Sequence, residues 1–211
     1  MRNTFHFICL TVGLLFAALP AQAIDLKPYV GAGAGTIIVD AGLGSKTAFG
    51  GYGIVGADFT ENVGAEVRFG SSGKTSGTVQ VPAGRVGCDG TCGPGQGILL
   101  TAPTPASIGV DWFVAYLLKL QYPVSDVFRI YGVVGGTTLR SKFAFANPTN
   151  VVVRATNTTF SYGGGFDYGL NEQWRVGVDA TVYANKATTA QQTNYSGLDV
   201  WGVTATARYG F

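Results

Sequence analysis

Apolar and polar residues alternate along most of the chain beyond residue 25, most regularly at its end. Trp201, Tyr209 and Phe211 lie on an apolar face together with alanine and valine, whereas the residues between them are glycine, threonine and arginine. Strict alternation predicts a β-strand that is apolar on one face and polar on the other. A strand of this kind suits a barrel that meets lipid outside and encloses polar side chains inside.

The same alternation predicts eight strands, which cover residues 26–39, 48–60, 63–71, 109–122, 127–146, 151–170, 173–184 and 198–211. Short turns follow the second, fourth and sixth strands, and longer connections follow the first, third, fifth and seventh. Membrane barrels place their short turns on the periplasmic rim and their long loops on the outer rim. The pattern therefore predicts an all-β fold, an eight-stranded antiparallel up-and-down transmembrane β-barrel.

Alternation also places most charged residues of the strands on the inward face. The inward set contains five acids and five bases, namely Asp58, Glu66, Arg68, Asp111, Lys119, Arg129, Asp167, Arg175, Asp179 and Arg208. Buried charges must be paired or each costs several kcal/mol, so we expect a network of ion pairs in the lumen. Eight strands enclose a space just wide enough for side chains to fill, which argues against a general diffusion pore.

The acids on the inward face also allow a catalytic carboxylate pair, although the basic residues among them favour ion pairing. Arg129 and Arg140 fall on opposite faces of the strand 127–146, which predicts a β-bulge in that strand.

Composition favours a membrane barrel over a soluble β-sandwich, which would show the same alternation. Charged residues make up only 12% of the chain, glycine accounts for 32 residues, and the mean hydropathy is +0.25. Tryptophan and tyrosine lie on the apolar faces near strand ends, where membrane barrels carry aromatic girdles. The net charge of +2 gives no bias towards nucleic acid, and we expect no nucleic-acid partner.

The first residues of the chain predict export. Residues 7–19 form an apolar run that is too short for a membrane-spanning helix, and small residues follow at the positions that signal peptidase recognises. We expect cleavage between Ala23 and Ile24. Residues 1–23 are then a signal peptide, and residues 24–211 form the barrel domain.

The motifs predict no enzyme. The single histidine, His6, lies in the expected signal peptide, so the exported chain has no imidazole to activate a serine such as Ser107 or Ser161. The glycines of residues 31–35 resemble a phosphate loop, but a strand rather than a helix follows them. We therefore expect no catalytic residue, no cofactor and no metal site.

The connection 72–108 is the longest of the chain, and long loops in compact domains are usually functional or disordered. It contains Cys88 and Cys92, the only cysteines after the expected signal peptide. An even number of cysteines in an exported chain predicts a disulfide; half of a zinc site is the alternative, which no histidine or further cysteine completes. We expect this connection to be extracellular and the barrel to form without most of it.

The expected signal peptide, the opening strand KPYVGAGAG, the hairpin GYGIVGADFTENVGAEVRFG and the ending ARYGF resemble the small OmpA-like outer-membrane barrels, often grouped as porin-family or outer-membrane β-barrel-domain proteins. The resemblance implies a location in the outer membrane of a Gram-negative bacterium, among outer-membrane lipid and lipopolysaccharide. Trp201, Tyr209 and Phe211 resemble the C-terminal signal that the barrel assembly machinery recognises, which makes that machinery an expected partner.

The resemblance is specific for architecture and nearly silent on activity. We expect a structural or surface-exposed interaction role, adhesin-like or antigen-like, in which extracellular loops contact host or surface ligands. The alternative is a narrow channel or transporter for small or hydrophobic solutes.

Overall fold

The computed structural model describes residues 26–42, 44–75, 77–81, 83–86, 98–145, 152–187 and 198–211. The expected cleavage site at Ala23 and Ile24 and the expected disulfide of Cys88 and Cys92 lie outside these residues. The signal peptide and the disulfide therefore stay predictions. No helix that is long and apolar enough to cross a membrane occurs in the described part of the chain.

Eight long strands form one closed antiparallel barrel, which confirms the predicted fold class. The strands are β1 (Lys27–Asp40), β2 (Lys46–Asp58), β3 (Val63–Ser72), β7 (Thr104–Pro123), β8 (Phe128–Phe145), β9 (Val152–Gly169), β10 (Trp174–Ala187) and β11 (Leu198–Gly210). Each long strand pairs with its neighbours in sequence, and the pairings of β3 with β7 and of β1 with β11 complete the ring. Closure leaves no open edge, which a barrel in lipid requires.

Side-chain hydrogen bonds hold the short turns that follow β2 and β9. Asn171 Oδ1 accepts the backbone N–H groups of Gln173 at 2.9 Å and Trp174 at 2.7 Å. Thr60 Oγ1 accepts the N–H of Val63 at 3.0 Å in the turn before β3. Such side chains replace backbone partners in tight turns. The short turns, the start of β1 and the end of β11 share one end of the barrel, which is the periplasmic end in barrels of this kind.

The connection between β3 and β7 is more ordered than the sequence predicts. It contains three short strands, β4 (Val79–Val81), β5 (Gly84–Val86) and β6 (Ile98–Leu100), and β4 pairs with the start of β7. Val79, Val81 and Leu100 are buried in the core. Part of this connection thus extends the sheet beside β7 and contributes to the core, while its extracellular location and its dispensability for barrel formation stay predictions.

The structure also corrects the position of the bulge. The register between β8 and β9 runs without interruption, whereas the register between β7 and β8 shifts between Val110 and Trp112. The bulge thus lies on β7, which begins at Thr104, five residues before the predicted start. Because a bulge exchanges the two faces of a strand, Val110 and Ile108 turn inward beyond it.

The interior has two layers at different heights in the barrel. The charged layer lies in the periplasmic half and consists of Asp58, Glu66, Arg68, Lys119, Arg129, Asp167, Arg175, Asp179 and Arg208 with the tyrosines Tyr29, Tyr52 and Tyr131. The apolar layer lies above it in the extracellular half. Its main members are Ile37, Val39, Val79, Val81, Leu100, Ile108, Val110, Phe113, Leu139, Phe145, Tyr183, Leu198 and Val200.

The outer surface of the wall changes in the opposite sense. Next to the charged layer, β7 presents the exposed apolar residues Leu118, Leu120 and Tyr122. Beyond the bulge, the outward residues of β7 include Ser107 and Asp111, and their neighbours on β8 and β9 are threonines, arginines and a lysine. We call this upper part the projecting wall; it comprises residues 104–111, 138–145 and 152–158.

Candidate functional sites: the charged layer and the projecting wall

Arg68 is the centre of the upper part of the charged layer. Its side chain is fully buried, and its Nη2 atom lies 2.6 Å from Glu66 Oε1 and 2.8 Å from Asp179 Oδ2. Tyr52 and Thr204 both hydrogen-bond to Asp179, at 3.2 Å and 2.9 Å. One cation thus holds two carboxylates that come from strands on opposite sides of the barrel, which joins β3 to β10 across the lumen.

Asp167 is the centre of the lower part. Arg208 Nη1 donates to Asp167 Oδ1 at 2.6 Å, and Lys119 Nζ and Arg129 Nη2 lie 3.7 Å and 3.8 Å from Asp167 Oδ2. Lys119 is fully buried, and its ammonium also lies 5.0 Å from the centre of the Tyr131 ring. The aromatic ring adds a cation–π contact to a charge that has no access to water.

The ten charged residues that alternation assigns to the lumen do not all meet there. Asp111 lies in the bulge region of β7 and pairs outside with Arg154, whose Nε donates to Asp111 Oδ2 at 3.2 Å. Arg175 is in the lower lumen but forms no ion pair among the described residues. The described interior therefore holds five cations and four carboxylates, where the sequence predicts five of each.

Sequence reasoning missed the polar residues that connect these charges. Tyr29 donates to Glu66 at 3.0 Å, Tyr131 donates to Asp179 at 3.3 Å, and Arg208 donates to Thr206 at 3.1 Å. The inward parity of these residues was visible in the sequence, but tyrosine is also a girdle residue. The glycines that stand opposite these tyrosines, such as Gly56 opposite Tyr29, were a further sign in the sequence that the rings point inward.

Glycines provide the space that the tyrosine rings occupy. A Cβ atom on Gly33 would collide with the ring of Tyr52, and one on Gly56 would collide with the ring of Tyr29. The glycine-rich opening strand is therefore a packing feature of a narrow lumen, and in this place close approach explains the missing side chains.

Above Arg68, aromatic and aliphatic side chains close the lumen. The rings of Phe113 and Tyr183 lie 4.7 Å apart, and Tyr52 packs edge-on against Phe113 at 6.1 Å. Ala115, which pairs with Arg68, and Leu139, which lies above it, are both completely buried. The layer separates the buried charges from the extracellular side.

The outer face of the projecting wall carries a cluster of cations. Lys142 on β8 stands directly opposite Arg154 on β9, and Arg140 lies one outward position below Lys142. Lys142 also lines a surface cavity of about 70 Å³ together with Lys74 and Asp111. We call Lys74, Arg140, Lys142 and Arg154 the basic patch. Like charges directly opposite on a sheet repel each other, and Asp111 offsets this repulsion by pairing with Arg154.

The terminal strand is anchored at the periplasmic end. Tyr209 packs against Trp174 with ring centres 5.2 Å apart and against Phe211 at 5.4 Å. The backbone N–H of Phe211 donates to the carbonyl of Pro28 at 3.2 Å, which ties the last residue to β1. Trp201 lies near the other end of the strand, opposite Ile38.

Groups of three or more metal-ligating side chains do not occur among the residues that the structure describes. The carboxylates of the charged layer each face at least one arginine or lysine, as the ion pairs above show. This environment neutralises the acids pairwise, and it differs from that of a carboxylate pair that shares a proton.

Comparison with known proteins gives a family and a fold. The family model described as outer membrane protein beta-barrel domain matches residues 7–211. A search of curated protein sequences finds no significant match.

Several solved structures share the fold at low sequence identity. Neisserial surface protein A (NspA) is 12% identical with a TM-score of 0.58, over 87% of this chain and 97% of NspA. Ail, the attachment invasion locus protein of Yersinia pestis, in complex with the heparin analogue sucrose octasulfate, is 12% identical with a TM-score of 0.52, over 89% and 99%. OprG of Pseudomonas aeruginosa is 15% identical with a TM-score of 0.51, over 88% and 96%.

Proposed function

We propose that this chain, which belongs to the family of outer membrane protein beta-barrel domains, is a structural protein with a surface-exposed binding role. Its location is the outer membrane of a Gram-negative bacterium. The proposed role uses the projecting wall and the adjoining extracellular connections. The interior serves stability rather than passage or catalysis.

The observation that carries this proposal is the basic patch. Lys142 and Arg154 face each other on the outer side of strands that extend beyond the lipid-facing band. Arg154 has Asp111 as its partner, whereas Lys74 and Lys142 lie beside a small open cavity. Cations held on a rigid sheet pay little conformational entropy when they bind an anionic ligand. The patch therefore suits a polyanionic saccharide.

Two sources supply saccharides of this chemistry. Sulfated host glycans are one, and the phosphorylated lipopolysaccharide of the same membrane is the other. Ail, which shares the fold, is known with a heparin analogue bound. That complex supports the choice of a sulfated probe, while the residues proposed for binding are those of this chain alone.

The test is a binding titration of the folded barrel in lipid nanodiscs with sucrose octasulfate. We expect Lys142→Gln and Arg154→Gln each to weaken binding by about threefold at low salt, as for one exposed ionic contact. Lys27→Gln removes one charge at the periplasmic end and serves as the matched control. Equal affinities for all variants would contradict the proposal.

A second arm separates the two sources. Nanodiscs with and without lipopolysaccharide are compared for binding of the soluble sulfated probe. If lipopolysaccharide occupies the patch, its presence reduces probe binding to the parent protein and leaves binding to the double variant unchanged. If it does not, the probe binds equally in both membranes, and a sulfated glycan is the better assignment.

Conductance distinguishes the proposed function from the alternative, a channel. Fully buried Arg68 and Lys119, below a layer of packed rings, block the lumen for hydrated solutes. We expect no sustained conductance of the purified protein in planar bilayers. Long-lived openings of porin size would favour the channel function instead.

We also propose that the end of β11 directs assembly of the barrel. Phe211 is 76% exposed on the outer surface and is tied to β1 by its backbone. We expect Phe211→Asp to lower the amount of folded protein in the outer membrane and to raise periplasmic degradation. Phe211→Tyr keeps an interfacial aromatic ring and serves as the control; equal levels of the Asp variant and the parent would refute the assignment.

A further inference from the structure

The periplasmic end of the lumen opens into a cavity of about 680 Å³, which we call the vestibule. The turns after β2 and β7 form its sides, and Gln121, Arg129 and Arg175 contribute to its lining. The vestibule lies directly below Asp167, the centre of the lower charged layer. It has no connection with the basic patch at the other end of the barrel.

Positive charge exceeds negative charge at the inner end of this vestibule. Asp167 is shared by Lys119, Arg129 and Arg208 at distances of 3.7, 3.8 and 2.6 Å. Arg175 stands opposite Arg208 in the backbone register of β10 with β11, and the charges that act on its guanidinium group are those of Arg129, Asp167 and Asp58. Arg129 repels Arg175, whereas the two acids are already paired with other cations.

Several hydrogen-bond donors in the same place have no partner among the described residues. They are Arg175 Nη1, Arg129 Nε and the amide nitrogen of Gln121. Three acceptors nearby, Gln121 Oε1, Asp58 Oδ1 and Asp167 Oδ2, also have no hydrogen-bond partner there. Gln121 is only 4% exposed and lines the vestibule. A buried donor without an acceptor is costly, so the three donors favour an acceptor from outside the chain.

Carboxylates also line the vestibule, and their placement decides which part of it suits an anion. Asp58 is already engaged, because its Oδ2 accepts from Arg129 at 3.2 Å and its Oδ1 lies 4.0 Å from Lys119. Glu61 and Asp126 lie on exposed turns at the sides. Arg175 is the cation that these ion pairs leave unmatched, so the favourable position is beside Arg175 and Gln121.

We propose that the vestibule is a binding site for a small oxyanion from the periplasm. Arg175 and Gln121 donate hydrogen bonds to its oxygen atoms, and Arg129 adds a third donor. Planar guanidinium groups bind phosphate and carboxylate oxygens with well-defined geometry. The bound anion lies between Arg175 and Arg129 and offsets their mutual repulsion. The site differs from the proposed surface function in ligand, position and side of the membrane.

The experiment uses the full barrel in nanodiscs and two probes, inorganic phosphate and succinate, each compared with chloride at the same ionic strength. The readout is the NMR signal of the Gln121 side-chain amide together with the thermal unfolding temperature. We expect a saturable shift of the amide signal and a rise in unfolding temperature with at least one probe. Response to phosphate alone or to succinate alone identifies the anion.

The variant Arg175→Gln should weaken the binding by about tenfold or more, as for loss of a charge-assisted hydrogen bond. Lys46→Gln removes one cation at the first residue of β2, at the other end of the barrel, and should leave the binding unchanged. Gln121→Met, which keeps the volume, provides a second test if Arg175→Gln fails to fold. Equal affinity in the parent and in these inner variants, or no saturable response to either probe, would overturn the proposal.

Discussion

The two layers of the barrel interior solve the same packing problem by opposite means. In the charged layer, Arg68 and Arg208 hold carboxylates from distant strands by ion pairs as short as 2.6 Å. In the apolar layer, Leu139, Leu198 and Val39 fill the space without polar contacts and are completely buried. The outside of the wall reverses with the inside. On β7, β8 and β9, lipid-facing residues such as Leu118 and Leu120 cover the charged layer, and a basic, threonine-rich surface covers the apolar layer.

The difference shows how the surroundings of the wall decide its interior. Where lipid covers the outside, apolar side chains gain nothing by turning inward, and the lumen can hold polar groups provided that they are paired. Where water covers the outside, the hydrophobic effect again favours an apolar interior, as in a soluble barrel. The same strands β7, β8 and β9 follow both rules along their length, and the bulge of β7 lies at the transition.

Removal of Arg68 is expected to have the largest effect. Arg68→Met keeps a long side chain but leaves the buried Glu66 and Asp179 with only the longer contacts to Arg208, at 3.6 and 4.0 Å. We expect a loss of about 3–5 kcal/mol in the free energy of unfolding, measured by urea titration in detergent micelles. The matched control is Arg154→Met, which breaks an ion pair on the outer wall. Similar losses for both variants would mean that the buried ion pairs of the charged layer stabilise the barrel no more than an exposed ion pair does.

Truncation in the apolar layer comes next. Leu139→Ala removes buried volume from a completely buried position, and we expect a loss of about 2–4 kcal/mol in the free energy of unfolding. Leu120→Ala at a half-exposed, lipid-facing position is the control for the chemical change itself. A loss at Leu139 no larger than that at Leu120 would argue that the outer end of the lumen is loosely packed.

A neutral member of the charged layer should have a smaller effect. Tyr52→Phe removes the hydroxyl that contacts Asp179, Thr204 and Arg68 but retains the ring. We expect a loss of about 1–3 kcal/mol, because acceptors in the network lose a donor while the ion pair of Arg68 remains. Tyr116→Phe on the lipid-facing surface should change stability little. Unfolding in urea measures both, and equal values would show that Tyr52 contributes only its ring.

The smallest effect is expected on the projecting wall. Asp111→Asn weakens the pair with Arg154, whose side chain is 40% exposed. Solvent screening limits the expected loss to under about 1 kcal/mol. The same variant should strengthen binding of sucrose octasulfate, since it removes the only acid that faces the basic patch among the described residues. Weaker binding would show that Asp111 positions Arg154 for the ligand.

Particular residues show how far alternation could carry the prediction. The inward positions of Glu66, Arg68 and Asp179 follow from counting by two along regular strands. Asp111 fails the same count because the bulge beside it exchanges the faces of β7. Alternation also gives no information on Val79 and Val81, since short strands in a long connection have too few residues for a period to emerge.

The sequence by itself determined the number of long strands, the closed antiparallel barrel, the lipid-facing side of the regular strands and the location in the outer membrane. These features depend on the period of two within a strand, which is a local property. Only the tertiary structure decided which cation meets which carboxylate, where the charged layer gives way to the apolar layer and why Arg175 forms no ion pair with the residues that the structure describes. Those features depend on the register between strands, because register sets the height at which inward side chains from different strands meet.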